Sequence, residues 1–99
     1  MKAKIYVVLE DYDNGESYDE AYSSYRTFID VAGTIEKARR IVQDRILDIF
    51  YDPYQVDGNM IVKQVGDMDN VTIEQPIYDG GNVSTTRYYI EEKEVTIPD

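Results

Sequence analysis

The sequence predicts an α+β domain: an antiparallel sheet of four to five strands with one long helix packed on one face, in the order β-β-α-β-β-(β). Three observations lead there. Apolar residues alternate with period two near the start, recur at helical spacing over residues 35–51, and return to strand-like alternation afterwards, with turn residues between the segments. A helix laid on one face of an antiparallel sheet buries both patterns at once. The 99 residues, 42% of them hydrophobic, suit a single small domain spanning 1–99, since domains commonly run to roughly 100–150 residues.

In the first strand, Ala3–Leu9, the residues Ala3, Ile5, Val7 and Leu9 share one face and Lys4, Tyr6, Val8 and Glu10 the other. A connection over 10–20 follows, in which Asn14-Gly15 is a turn signal. A second strand, Arg26–Ala32, carries Phe28, Ile29 and Val31 and makes a long hairpin with the first. Gly33-Thr34 stops it, and the Thr34 hydroxyl is placed to cap a helix by accepting from a first-turn amide. That helix runs from Ile35 to Tyr51, with Ile35, Ala38, Ile41, Val42, Ile46, Ile49 and Phe50 on one stripe. Asp52-Pro53 ends it, because the residue before proline is pushed out of the α region. Glu36 with Arg40, and Arg40 with Asp44, are pairs four apart on the wet side, where Leu47 also projects.

Strands are expected at Met60–Val65 and Asn70–Gln75, joined by a turn over 66–70. Pro76, Gly80 and Gly81 mark the next connection. The last extended stretch, Thr85–Ile97, changes its apolar phase from even (Tyr88, Ile90) to odd (Val95, Ile97), which a bulge or break near Glu92 would explain. The expected core is Ile5, Val7, Ile41, Val42, Ile46, Ile49 and Ile73.

The chain holds no cysteine and no histidine. Disulfide scaffolds, thiolate metal sites, thiol nucleophiles and the usual general acid–base residue are therefore excluded. No glycine-rich phosphate loop or serine elbow is present, so no catalytic residue, metal or cofactor is assigned and the protein reads as a non-enzyme. Asp11, Asp13, Glu16, Asp19 and Glu20 could gather round a hard cation, but the spacing misses the EF-hand loop: Gly15 is fifth from Asp11, and the closing glutamate position falls on Tyr22. The start is too short in apolar residues for a signal peptide, and no long apolar run exists. A cytoplasmic protein with no membrane partner is expected.

Charge is the stronger signal. Twenty acidic against ten basic residues give −10, which opposes direct binding to nucleic acid and favours a basic protein as partner. The charge is also segregated: residues 5–25 hold six acids and no base, whereas 26–45 hold five bases and three acids. On the helix side, Asp44, Asp48 and Asp52 recur every fourth residue, repeating a carboxylate about every 6 Å, similar to strand phosphates. Ten tyrosines stand against two phenylalanines. Tyr12, Tyr18, Tyr22 and Tyr25, interleaved with the acids of the first connection, have the amphipathic area that suits recognition, whereas Tyr6, Tyr88 and Tyr89 lie in strands and belong with the core. The candidate partner-binding set is Asp11, Tyr12, Asp13, Glu16, Tyr18, Asp19, Glu20, Asp44, Asp48 and Asp52. The bland alternative is that the acids only keep a small protein soluble.

The segments Lys4-Ile5-Tyr6-Val7-Val8-Leu9-Glu10-Asp11-Tyr12, Thr34-Ile35-Glu36-Lys37-Ala38-Arg39-Arg40-Ile41-Val42 and Tyr88-Tyr89-Ile90-Glu91-Glu92-Lys93-Glu94-Val95 resemble small uncharacterised proteins of phages and related mobile elements. The resemblance covers about a quarter of the chain and carries no catalytic residue. It implies a phage-encoded inhibitor of the anti-CRISPR or DNA-mimic kind, acting in the host cytoplasm on a basic nucleic-acid-handling protein. The other reading is a structural or assembly module of a phage or bacterium, for which a homo-oligomer stays open. A self-complementary sheet edge or helix face would favour it.

Overall fold

A computed structural model describes residues 1–15, 23–51, 60–76 and 83–98. It holds β1 (Lys2–Asp13), β2 (Ser24–Ala32), α1 (Ile35–Tyr51), β3 (Ile61–Val65), β4 (Asn70–Pro76) and β5 (Val83–Thr96). The strands form one five-stranded sheet in the order β2-β1-β5-β4-β3, every neighbouring pair antiparallel. The expected fold class and element order are those observed. No helix among the described residues is long and apolar enough to cross a membrane.

The start of α1 is set as the sequence suggests: Lys37 N–H donates to Thr34 Oγ1 at 3.2 Å, and Ala38 N–H donates to the Thr34 carbonyl at 3.1 Å. Ala38, Val42 and Ile46, each four residues on from the last, are buried against the sheet, with Ile41 and Ile49 half-buried beside them. The expected wet-side pairs do not form: neither Glu36 with Arg40 nor Arg40 with Asp44 makes an ion pair among the described residues. The neighbouring arginines pin the helix to the sheet instead. Arg39 donates to both carboxylate oxygens of Asp69 at 2.7 and 3.2 Å, and Arg45 lies 3.7 Å from Glu10.

The face of β1 turned to the helix is the even one, contrary to the expected core. Val8 is fully buried there and Tyr6 packs beside it, with Ala32, Val71, Ile73 and Tyr88 from the other strands. Ile5 and Val7, expected inside, are half-buried on the outer face with Ala3 and Leu9. The cause is the run Ile5-Tyr6-Val7-Val8-Leu9, apolar on both faces: alternation fixes which residues go together but not which set meets the helix. Val42, Ile46 and Ile73 are buried as expected.

The expected bulge in the last strand is absent. β5 pairs with β1 from Thr85 to Thr96 without a register shift, and the irregularity lies in β2, where Ile29 is the extra residue opposite Val8 and Leu9. The phase change in β5 has another origin. A helix of 17 residues is about 25 Å long, whereas 14 strand residues span about 46 Å, so one helix cannot cover the sheet from end to end. Pairing of β2 starts at Tyr6 and that of β4 ends at Tyr89, so Lys2–Ile5 and Lys93–Thr96 project as a two-stranded ribbon. On the ribbon's helix-side face Lys2, Lys4, Glu92 and Glu94 form cross-strand ion pairs, and only its outer face is apolar.

Candidate protein-binding surfaces

The described members of the predicted binding set fall on opposite sides of the sheet. Asp11 and Asp13 lie on its outer face, Tyr12 on the helix face, and Asp44 and Asp48 on the solvent side of α1. Glu16, Tyr18, Asp19, Glu20 and Asp52 lie outside the described residues. One row of acids therefore does not join the first connection to the helix through Asp11.

Near the end of β1, a groove of about 400 Å³ is lined by Asp11, Tyr12, Asp13, Tyr25, Arg26 and Arg87, among others. Asp11 is not a free carboxylate. Arg26, across the β1–β2 pair, donates from Nε to Asp11 Oδ1 at 2.8 Å and from Nη2 to Oδ2 at 3.3 Å, and the Tyr89 hydroxyl donates to Oδ1 at 3.4 Å. The Arg26 hydrogen bonds hold the Asp11 carboxyl below its usual range. Tyr89 is itself covered: the guanidinium carbons of Arg87 and Arg26 stand 4.4 and 5.6 Å from its ring centre, and burial pushes its phenol up. Arg87 is steadied by Nε donation to Asn70 Oδ1 at 3.1 Å.

Asp13 serves the chain's own turn, accepting from Gly15 N–H at 2.8 Å. Asn14 closes the base of the connection, donating to the Ser23 carbonyl and accepting from Ser23 N–H. Tyr12 and Tyr25 hold ring centres 5.1 Å apart at a 32° tilt, with Tyr25 half-exposed. The groove offers aromatic area, but its charges are largely satisfied within it.

The helix surface is different. Asp44 and Asp48 are exposed one turn apart and make no ion pair among the described residues, and Leu47, next to them on that side, is 39% exposed; Phe50, 40% exposed, lies round the helix on the side of Ile46. Carboxylates with apolar neighbours can offer both long-range attraction and desolvated contact to a cationic protein. No group of three or more aspartates or glutamates that could hold a metal ion occurs among the described residues.

Sequence reasoning missed the outer face. Ile5 and Val7 were expected inside, and the Arg26–Tyr89–Arg87 cluster was not foreseen. The doublet Tyr88-Tyr89 was the available signal, since adjacent strand residues point to opposite faces and two tyrosines in sequence imply amphipathic contacts on both.

Acid titration separates the two Asp–Arg pairs from the rest of the surface. Arg39 holds Asp69 below its usual range just as Arg26 holds Asp11. A lowered carboxyl contributes stability that is present above its unfolded value, about pH 4, and is lost as pH falls through the folded one. Arg39→Ala should therefore move the acid-unfolding midpoint, followed by far-UV circular dichroism, to higher pH and leave the alkaline limb unchanged. An unmoved acid limb would show that the pair adds nothing. The alkaline limb belongs to Tyr88 and Tyr89, whose phenols are both raised mainly by burial, so that the stability they contribute is present below about pH 10 and is lost as pH rises through their folded values.

No protein-family model matches the chain, and neither the curated proteins nor the solved structures hold a significant match to it.

Proposed function

We propose that this protein is a non-enzymatic, acidic binding module that engages a basic protein through the solvent side of α1. The observation that carries the reading is the exposed couple Asp44 and Asp48, without an ion pair among the described residues and with exposed Leu47 alongside, on a chain of net charge −10. The resemblance to phage proteins supplies a class of partner, a basic nucleic-acid-handling protein of the host cytoplasm, whose nucleic-acid channel the helix acids would occupy by mimicry. An inhibitor needs no catalytic residue for this. The field steers association and Leu47 adds desolvated contact.

The test is capture from a bacterial lysate on the immobilised chain, followed by kinetics with whatever nucleic-acid-binding protein is retained. Asp44→Asn with Asp48→Asn should slow association more than it speeds dissociation, and the difference should shrink as salt rises. DNA should compete for the same site. An unchanged association rate, or simultaneous binding of DNA, would sink the mimic reading. A second reading, a structural or assembly module with solubilising acids, is favoured by one specific feature, the apolar outer face of the sheet.

A further inference from the structure

We propose that a second copy of this chain covers the outer face of the sheet, packing face to face over the apolar stripe of β1. The inference gives the assembly reading its partner and in that sense rests on it, but it concerns the side of the sheet opposite α1 and holds whatever the helix binds.

The first argument is the composition of β1. Five consecutive apolar residues, Ile5–Leu9, are the pattern of a strand buried on both faces. The helix covers only Tyr6 and Val8. The odd set forms a continuous stripe, flanked on β2 by Phe28 and Val31, which are 61% and 45% exposed.

The second argument is the ribbon. Two-stranded ribbons are marginal in water by themselves, and this one is amphipathic although α1 does not reach it. Its helix-side face is charged. Its outer face carries Ala3, Ile5 and Val95, with Lys93 opposite Ile5 paired to Glu91 and Ile97 just past β5, where Ile97 N–H donates to the Met1 carbonyl at 2.7 Å. The apolar phase change in β5 thus keeps the stripe continuous along the outer face where the helix side turns polar.

Charge selects the occupant. The chain carries −10, yet among the described residues strand register places four carboxylates and four cations on the outer face, six of them already paired as Arg26–Asp11, Lys63–Glu74 and Lys93–Glu91. The remaining Asp13 and Arg87 bond to Gly15 and Asn70. A basic partner is drawn to the acids of α1 that lack an ion pair among the described residues, whereas an apolar stripe bordered by mutually paired charges fits another of its kind. Two copies joined there keep their helices and excess negative charge on opposite outsides.

The area suffices. Three strands about 4.8 Å apart and about ten residues long give a footprint of about 500 Å² per copy, or about 1,000 Å² for a pair, which reaches the size of a specific interface. Aligned sheets pack about 10 Å apart with strands roughly 30° from parallel.

Sedimentation equilibrium of the full chain tests this. The expected mass rises with concentration to twice 11.5 kDa, and association strengthens with added salt, because salt screens self-repulsion and favours apolar burial. Phe28→Lys with Val31→Lys, both at exposed positions, should weaken dimerisation at least tenfold with the circular dichroism spectrum unchanged. Val95→Lys, in the ribbon and remote from β2, should do the same. Asp44→Asn with Asp48→Asn should leave the dimer intact, so failure here and failure of the helix reading are distinguishable. A monomer at all concentrations and salts overturns the proposal. So does a dimer that survives Val95→Lys and is lost only with the β2 pair, which would mean edge pairing through β2. A dimer indifferent to all three outer-face lysines overturns it as well.

Discussion

Replacing Ile73 by alanine should destabilise the protein by about 2–5 kcal/mol, because the side chain is 1% exposed at the centre of β4 and its removal loses transfer free energy and leaves a cavity. Ile73 packs in the cluster that joins the buried helix positions Val42 and Ile46 to Val8 and Val71. For a domain of about 100 residues each kcal/mol moves the melting temperature by about 4–8 °C, so a fall of at least about 8 °C is expected in a calorimetric scan. Ile5→Ala is the contrast. Ile5 is half-buried on the outer face, and in the monomer its truncation should cost under about 1 kcal/mol. Equal losses at the two positions would mean that the sheet is covered on both sides within one chain.

Gly15→Ala should be nearly as damaging for a different reason. Gly15 has φ of +72°, in the left-handed region, and a Cβ there would overlap the backbone carbonyl of Val83. The conformation alone costs an L-residue about 1–2 kcal/mol. The clash falls on backbone, which cannot turn away as a side chain would, and forced overpacking adds about 1–3 kcal/mol more. Chemical denaturation should show a loss of about 2–5 kcal/mol, the sum of these two effects. A change under about 1 kcal/mol would show that the chain after Asp13 can move off β5 freely.

The elements with strong local rules were legible in the sequence. Thr34 capping, the repeat Ala38, Val42 and Ile46, and the alternation of Val71 and Ile73 each depend on neighbours within a few residues, and each is in place. What could not be read was set by contacts distant in sequence. Arg39 and Arg45 look like members of a wet helix face until Asp69 and Glu10 are brought beneath them, and Asp11 looks like a free acid until β2 folds back and delivers Arg26. The facing of β1 is the clearest case. With both faces apolar, periodicity is degenerate, and the position of the helix decides. Of the candidate site, the exposed Asp44 and Asp48 lie where helical spacing put them, while Asp11 turned out to be partnered.

The place of β1 in the sheet also fixes the order in which the fold can be completed. β1 lies between β2, its neighbour in sequence, and β5, the last strand, and its Tyr6 hydroxyl donates to Glu92, 86 residues away. The β1–β2 pair and the β3–β4–β5 meander use short connections, so each can form early at small loop-closure cost. The seam between them closes the longest loop in the molecule, at the greatest entropic cost. Until it closes, two partly formed sheets each expose a long unpaired strand edge, apolar in β1 and mixed in β5, and unpaired edges are prone to pair with the wrong chain. Folding thus ends at the centre of the sheet, and the slow, aggregation-exposed step is the one that makes β1 an interior strand.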